Sequence, residues 1–473
     1  KGYETNEDNT VFTFYLRQGL KWSDGEPVTM EDVDFWWNDI LKNTEYTPSD
    51  TYYADCILDK VDDWTFTFTF ETPKPLYLTF WAKDNNSRFV YPAHYLKQFH
   101  PSYLTEDEMA AKLAEESFDD WKNLMQDKTN VQTNKDLPVL GPWVMTTDPA
   151  TTNTYLYERN PYYCCVDQEG NQLPYCDYIT NVLVENQEML QMKVITGEID
   201  YLRESATIDN LTLYRENEEA AGIKVHFYSL NNTPTDIMVN FNYGLDTDGT
   251  VKDDETSQAW QEVINDHRFL EALACAIDID EIIDAVYSGF AEPDQYFTAL
   301  YTYDPDHANA LLDEMGMADV DGDGYRETPS GKKLQWMITN NGGNSDFLPV
   351  SELMVEFWQT GLGLSVTANT IEGSLMATSQ SANELPMTIN IAPIDITWFN
   401  NNWGQSAFGP LWNTWYSKGG MNAAEGDEVP GLPATGDALE FYTLMDSVMT
   451  NSPAETVATV LPAMHELIAK NLW

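Results

Sequence analysis

The 473-residue chain is strongly acidic, with 25 lysines and arginines against 77 aspartates and glutamates and a formal net charge of −52. A surface with this excess of negative charge repels a phosphate backbone, so we exclude nucleic acid as a partner. The length predicts two or three domains, and no apolar run of about 18 residues suggests a membrane span.

The first predicted elements are two strands with a helix between them. Val11–Leu16 and Trp64–Phe70 alternate apolar and polar side chains, as is typical of half-buried antiparallel strands. Thr29 followed by Asp32 predicts a capped helix start, and apolar residues continue at helical spacing to Leu41.

A long helical region is predicted in the second half. Asp266 can cap a first helix, Asp278 or Asp280 can restart it, and Gly289 can end it. Another helix is predicted over 304–316, with a proline at its first position. Because strands and helices interleave without a repeat, the sequence indicates a mixed α/β fold.

No recognisable catalytic motif occurs in the sequence. The zinc-protease, P-loop and dinucleotide-binding signatures are missing, and the six histidines lie far apart along the chain. Acidic pairs are too numerous for a glycosidase pair to be singled out. The five cysteines form no CxxC pair, so a disulfide scaffold is not predicted. We therefore assign no catalytic residue and expect no cofactor.

One acidic loop resembles part of a calcium-binding loop. Asp319, Asp321 and Asp323 stand at positions 1, 3 and 5, with a glycine at 6 and Glu327 at 9. Position 12, where an EF-hand needs a bidentate glutamate, is Ser330. A plain acidic turn is the favoured interpretation, and a calcium site is the weaker alternative.

A tryptophan-rich segment follows near residue 400. Trp398, Trp403, Trp412 and Trp415 lie within 18 residues that carry few charges. Such aromatic density can line a cleft, where the flat rings stack on sugars or apolar side chains. The same residues could equally belong to the core.

The stretch "TVFTFYLRQGLKWSDGEPVTMEDV" (residues 10–33) resembles the signature of the family 5 extracellular solute-binding proteins, which are the peptide- and nickel-binding subunits of ATP-driven importers. Only Met30 departs from the family's pattern. Further stretches resemble the family in order along the chain: "ERNPYY" (158–163), "EGNQLPYCDYI" (169–179), "ITGEIDY" (195–201) and 266–293.

The resemblance implies an α/β periplasmic-binding-protein-like fold (class II, cluster C) with two ligand-closing lobes and an inserted extra domain. It places inserted domain II at 1–140, lacking its N-terminal part, and part of domain I at 141–242. Domain III would occupy 243–473, without the C-terminal return to domain I. The WSDG tryptophan is then expected to pack the inserted domain and to touch no ligand.

The resemblance also implies a function without catalysis. The protein would be a monomer that captures a solute, closes over it and delivers it to ABC permease subunits in the membrane. Its location would be extracytoplasmic, either periplasmic or as a cell-surface lipoprotein, and no signal segment is visible at the start of the sequence.

The ligand expected from the resemblance is a short peptide. Asp395 matches the position that binds the peptide's amino terminus, and Asn242 matches an asparagine near the hinge. Pro393 lacks an N–H for pairing with an extended ligand, which weakens this interpretation. An oligosaccharide stacked on the tryptophans is the alternative. A secreted glycan-active enzyme and a docking protein are the competing classes.

Overall fold

The computed structural model divides into two compact units, Lys1–Leu190 (unit 1) and Gln191–Trp473 (unit 2). The domain boundaries expected at residues 140 and 242 stay predictions. The structure describes residues 2–47, 52–82, 89–203, 205–226, 235–391, 407–424, 426–448 and 450–473.

Unit 1 combines antiparallel sheets with short helices. Its strands are β1 (Gly2–Thr5), β2 (Val11–Tyr15), β3 (Cys56–Asp62), β4 (Thr65–Phe70), β5 (Trp143–Met145), β6 (Thr154–Arg159) and β7 (Tyr178–Val182). Its helices are α1 (Met30–Phe35), α2 (Tyr77–Ala82), α3 (Ala93–Leu96), α4 (Glu106–Glu116) and α5 (Trp121–Thr129), with a π-helix at Trp36–Leu41 and 3₁₀ turns at Lys97–Phe99 and Pro101–Tyr103. The sheet orders are β1-β2-β4-β3 and β5-β6-β7.

The predicted alternation of β2 and β4 is confirmed. The two strands pair antiparallel, with Phe14 opposite Phe66. Phe66, Phe68 and Phe70 are buried on one face of β4 and the threonines at 67 and 69 are half-buried on the other. Burying this row of aromatic side chains contributes strongly to the unit 1 core, because each ring removes about 150–250 Å² from water.

The predicted helix start at Thr29 is also confirmed. The Thr29 N–H donates to the Asp32 carboxylate at 2.8 Å, and the Thr29 hydroxyl accepts from the helix backbone in return. Asp32 is buried and also accepts from the Trp22 indole at 3.3 Å and from Ala93 N at 2.9 Å. The WSDG tryptophan, Trp22, is therefore a packed residue that orients the carboxylate of the capping box.

Unit 2 is richer in helices. Its strands are β8 (Thr235–Val239), β9 (Gln335–Asn340), β10 (Ser365–Thr370) and β11 (Met387–Ile391). Its helices, of which α6 starts before the boundary, are α6 (Gln187–Ile195), α7 (Leu211–Ala221), α8 (Glu255–Val263), α9 (His267–Cys275), α10 (Ile279–Tyr287), α11 (Gln295–Leu300), α12 (Pro305–Met315), α13 (Phe347–Leu362), α14 (Gly373–Ser381), α15 (Pro410–Ser417), α16 (Gly436–Val448), α17 (Pro453–Glu455) and α18 (Leu461–Asn471). Shorter turns are 3₁₀ at Ile208–Asn210 and Gly420–Asn422 and a π-helix at Thr456–Val460.

A four-stranded sheet of order β10-β9-β11-β8 organises unit 2. Strands β9, β10 and β11 run parallel, and β8 is antiparallel to β11. The face carrying Trp336, Ile338 and Met387 packs into the main core with helices that include α9, α12 and α13. Because parallel strands end at one edge, the residues after Asn340 and Thr370 leave the sheet on the same side.

The predicted helix boundaries in unit 2 hold closely. Asp266 and Asp278 cap α9 and α10 through their carboxylates, so the restart is at Asp278. Helix α10 ends at Tyr287, and the two residues that follow it, Ser288 and Gly289, both have a positive φ. Within the described ranges, none of the helices combines the length and apolar character needed to cross a bilayer.

Candidate functional site

The site residues expected from the sequence are only partly described by the structure. Asp395, Trp398 and Trp403 lie outside the described residues, in the gap at 392–406. Trp412 and Trp415 lie on α15, and Asn242 lies shortly after β8, all in unit 2. Of the predicted site residues, only those on α15 and Asn242 beside it belong to the described part of the chain.

The two tryptophans of α15 are half-buried and rest on glycines. Trp412 stacks on Phe241 with ring centroids 6.3 Å apart, and it packs against Gly409 so closely that a Cβ there would come within 2.3 Å of its ring. Trp415 packs equally closely against Gly420, where an added Cβ would come within 2.2 Å of the Trp415 ring. Within the described residues neither indole N–H has a hydrogen-bond partner. Each ring therefore combines a partly exposed apolar surface with an indole donor that has no partner among the described residues, as stacking on a polar ligand requires.

Asn242 fixes the start of this helix. Its side-chain oxygen accepts from the backbone N–H groups of Leu411 and Trp412, at 3.1 and 3.2 Å. These are donors of the first helical turn, which otherwise lack partners. Asn242 is fully buried, and its Nδ2 has no hydrogen-bond partner in the part of the chain described. Its contact in this structure is with α15, and a contact with ligand stays a prediction.

Three asparagines hold the segment after β8 in place. The Asn240 side chain donates to the Asn383 oxygen at 2.9 Å and accepts from Asn242 N at 2.8 Å. Asn383 in turn donates to the Asn242 carbonyl at 2.7 Å. The sequence reasoning missed Asn240 and Asn383. The pair of asparagines around Phe241, directly after an apolar strand, was the available signal for such a network.

Polar side chains gather where the parallel strands end. The Thr370 hydroxyl donates to the Asn340 side-chain oxygen at 3.0 Å. Asp346 accepts from the hydroxyls of Thr235 and Tyr287, both at 2.6 Å. The carboxyl edge of a parallel sheet is the common position for ligands in α/β folds. This edge of unit 2 is therefore a candidate position for a polar ligand.

Asp236 is the residue at this edge that sequence reasoning overlooked. It is half-buried on β8 opposite Asn390, and within the described residues its carboxylate has no hydrogen bond or ion pair. Loss of hydration raises the pKa of Asp236 to about 7, and the negative charge of Asp294 adds to the shift. An acidic residue inside an otherwise apolar strand was the signal that could have found it.

The acidic loop at 319–327 brings its carboxylates together. The carboxylates of Asp319, Asp321, Asp323 and Glu327 lie within 4.8 Å of one another. Lys333 places its ammonium 2.7 Å from Asp321 and 2.9 Å from Asp323, and this contact lowers the pKa of Asp323. The lysine supplies the positive charge that a calcium ion would bring, which fits a plain acidic turn. Calcium binding itself stays an untested alternative.

Comparison with known proteins relates the whole chain to binding proteins. The family model described as bacterial extracellular solute-binding proteins, family 5 Middle, matches residues 1–420. A periplasmic alpha-galactoside-binding protein of Rhizobium meliloti is 27% identical over an alignment of 457 residues, and the match covers 92% of this chain. The chain spans 62% of the length of that curated relative.

Solved structures give the same fold. An oligopeptide-binding protein OppA is 31% identical, with a TM-score of 0.67, and the match covers 100% of this chain and 77% of that one. The periplasmic binding protein MelB of Agrobacterium fabrum, solved with stachyose, also has a TM-score of 0.67 at 19% identity, covering 100% of this chain and 69% of its own. Both share the periplasmic-binding-protein-like α/β fold. The chain therefore belongs to the family 5 bacterial extracellular solute-binding proteins.

Proposed function

We propose that the protein is the substrate-binding component of an ABC importer. The match of the family 5 model to residues 1–420 carries this proposal. In this role the protein captures a solute outside the cytoplasm and presents it to permease subunits in the membrane. Binding shifts the population towards the ligand-competent conformation. In this role the protein makes and breaks no covalent bond.

We propose a short peptide as the first ligand class. The 31% identity to an oligopeptide-binding protein over the whole chain supports it. Asp395, outside the described residues, is the proposed partner of the peptide's amino terminus. A carboxylate held near an ammonium forms a charge-assisted hydrogen bond, which is stronger than a neutral one.

An oligosaccharide is the second candidate. The half-buried rings of Trp412 and Trp415, each with a free indole N–H in the described part of the chain, favour it. The relatives that bind an alpha-galactoside and stachyose add support. Sugar rings present apolar faces and hydroxyl rims, which an aromatic ring with a donor at its edge can match.

The proposed cellular setting follows from this role. The protein works as a monomer outside the cytoplasm, in a periplasm or as a lipoprotein on the cell surface. Its net charge of −52 keeps such a protein soluble and dispersed.

Thermal unfolding against a pool of short peptides and a pool of oligosaccharides tests the proposal. A ligand at about 100 times its Kd adds about 2.7 kcal/mol to stability, enough to raise the midpoint by a few degrees. A rise with either pool identifies the ligand class. Release of reducing ends from the oligosaccharides would instead identify a glycan-active enzyme. No shift with any small solute would favour a docking protein.

A further inference from the structure

A mixed cluster of metal-ligating side chains lies in unit 2, on two neighbouring helices. Glu271 and Cys275 are one turn apart on α9, and His307 is in the first turn of α12. The Glu271 carboxylate, the Cys275 sulfur and a His307 ring nitrogen all lie within 4.8 Å of one another. The closest pair is His307 Nε2 and Glu271 Oε1, at 3.2 Å.

The backbone holds these three residues in register. Residues four apart on a helix share one face, so Glu271 and Cys275 point to the same side of α9. The Asp304 N–H donates to the Cys275 carbonyl at 2.8 Å, which ties the start of α12 to the end of α9. The Asp304 carboxylate then caps α12 by accepting from His307 N at 2.9 Å. These hydrogen bonds therefore fix the position of His307 beside Glu271 and Cys275.

The donor set matches zinc. Thiolate sulfur, imidazole nitrogen and carboxylate oxygen are the three ligand types that Zn²⁺ takes in proteins, at about 2.0–2.3 Å from the ion. Donors in such a tetrahedral shell lie about 3.5 Å apart, so small side-chain rotations suffice to bring this cluster onto one ion. Calcium and magnesium prefer oxygen ligands only, which makes them poor competitors here.

The cluster is also accessible from solvent. The Cys275 side chain is buried, whereas the side chains of Glu271 and His307 are 33% and 46% exposed. An ion can therefore enter from the outside and keep a water molecule as its fourth ligand. The negative charges of Glu271 and Asp304 act on the thiol and favour a cation at this place.

We propose that Glu271, Cys275 and His307 form a zinc-binding site that joins α9 to α12. None of these three residues is among those proposed for solute capture, and the inference does not rest on the proposed function. A cysteine binds zinc as the thiolate, so zinc binding at Cys275 releases the proton of the thiol. The bound ion then stabilises unit 2 by its free energy of binding.

Metal uptake tests the site directly. The chain, with Cys164, Cys165 and Cys176 changed to serine to remove the more accessible thiols, is titrated with Zn²⁺ in excess Mg²⁺, which occupies the acidic surface. We expect one equivalent of zinc and a rise in the thermal midpoint. Cobalt in place of zinc should give a thiolate charge-transfer absorption band.

Single variants identify the ligands. His307→Ala alters an exposed side chain, and it should weaken zinc binding at least about tenfold, since even residues that only orient a metal ligand are worth 10–100-fold. Cys275→Ser should abolish the cobalt band. His267→Ala is the matched control, because His267 Nδ1 is 3.7 Å from Glu271 but stands outside the cluster, and it should bind zinc normally.

Several outcomes would overturn the proposal. One is zinc uptake by His307→Ala equal to that of the parent chain, with its circular dichroism unchanged. Another is cobalt binding without a charge-transfer band. In either case Glu271 and His307 form an ordinary surface ion pair over a buried thiol.

Discussion

The side-chain oxygen of Asn242 accepts a hydrogen bond from the backbone N–H of Leu411 across 3.1 Å, although 169 residues separate them in the chain. This bond satisfies a donor at the start of α15 and sets the position of the helix that carries Trp412 and Trp415. A helix of eight residues has little stability by itself, so its place depends on such tertiary contacts.

Replacing Asn242 by alanine should lower the free energy of unfolding of unit 2 by about 1–3 kcal/mol. The change removes a helix cap and leaves two backbone donors buried without an acceptor. Urea denaturation followed by tryptophan fluorescence measures the effect. Asn413→Ala, on the same helix at a half-buried position, is the control and should cost less than about 0.5 kcal/mol. Equal losses in the two variants would contradict the capping role.

Gly431 should tolerate a side chain poorly because the α15 backbone passes close to it. A Cβ at Gly431 would lie 2.4 Å from Trp415 N and 2.5 Å from Leu411 O. Gly426 has a similar positive φ, but no atom of the described residues lies within 4 Å of its Cβ position. Both Gly→Ala changes place an alanine in a left-handed backbone conformation, which costs about 1–2 kcal/mol of stability. Only Gly431→Ala adds about 1–3 kcal/mol from overpacking. Thermal midpoints of the two variants give the difference, and equal midpoints would refute the close approach.

Asp236 should make stability depend on pH. Its folded pKa of about 7 is above the usual unfolded value of about 3.9, so the folded state holds a proton that the unfolded chain releases. The contribution of Asp236 therefore makes the wild-type protein less stable as pH rises from about 4 to 7, by a few kcal/mol at most. Above pH 7 this group causes no further loss of stability. We expect Asp236→Asn to become progressively more stable than wild type over that window.

Thermal midpoints of wild type and Asp236→Asn between pH 4 and 9 check this expectation. A constant difference between the two proteins across the range would show that Asp236 titrates normally. Asp294→Asn serves as the partner experiment, because asparagine preserves the α11 cap and removes the charge that raises the Asp236 pKa. It should shift the pH-dependent window downward without removing it.

Trp415→Ala should reduce oligosaccharide affinity about tenfold if sugars stack on α15. Losing one aromatic platform removes both its stacking energy and its apolar contact, together about 1.4 kcal/mol or more. Calorimetric titration with an oligosaccharide that raises the thermal midpoint provides the measurement. Trp64→Ala changes another half-buried indole, in unit 1, and should leave the affinity unaltered. An unchanged affinity in Trp415→Ala would show that Trp415 does not stack on the sugar.

Local patterns in the sequence were sufficient for the elements predicted above and for the family. Thr29 with Asp32, and Asp304 with Gly316, predict helix ends correctly because capping involves residues only a few positions apart. The alternation in β4 predicts its buried face because side chains in a strand point to opposite sides in turn. The family signature at 10–33 lies within one such local stretch.

Only the tertiary structure showed which distant residues meet. Asn242 contacts α15, and His307 lies beside Glu271 and Cys275, although these partners are far apart in the sequence. No local sequence pattern indicates such contacts. The environment of Asp236 likewise depends on the burial of its strand and on the charge of Asp294, so its pKa was not predictable from its neighbours in sequence. Short-range patterns indicate elements because capping and side-chain periodicity involve residues close together in the sequence, whereas sites depend on packing between elements far apart in the chain.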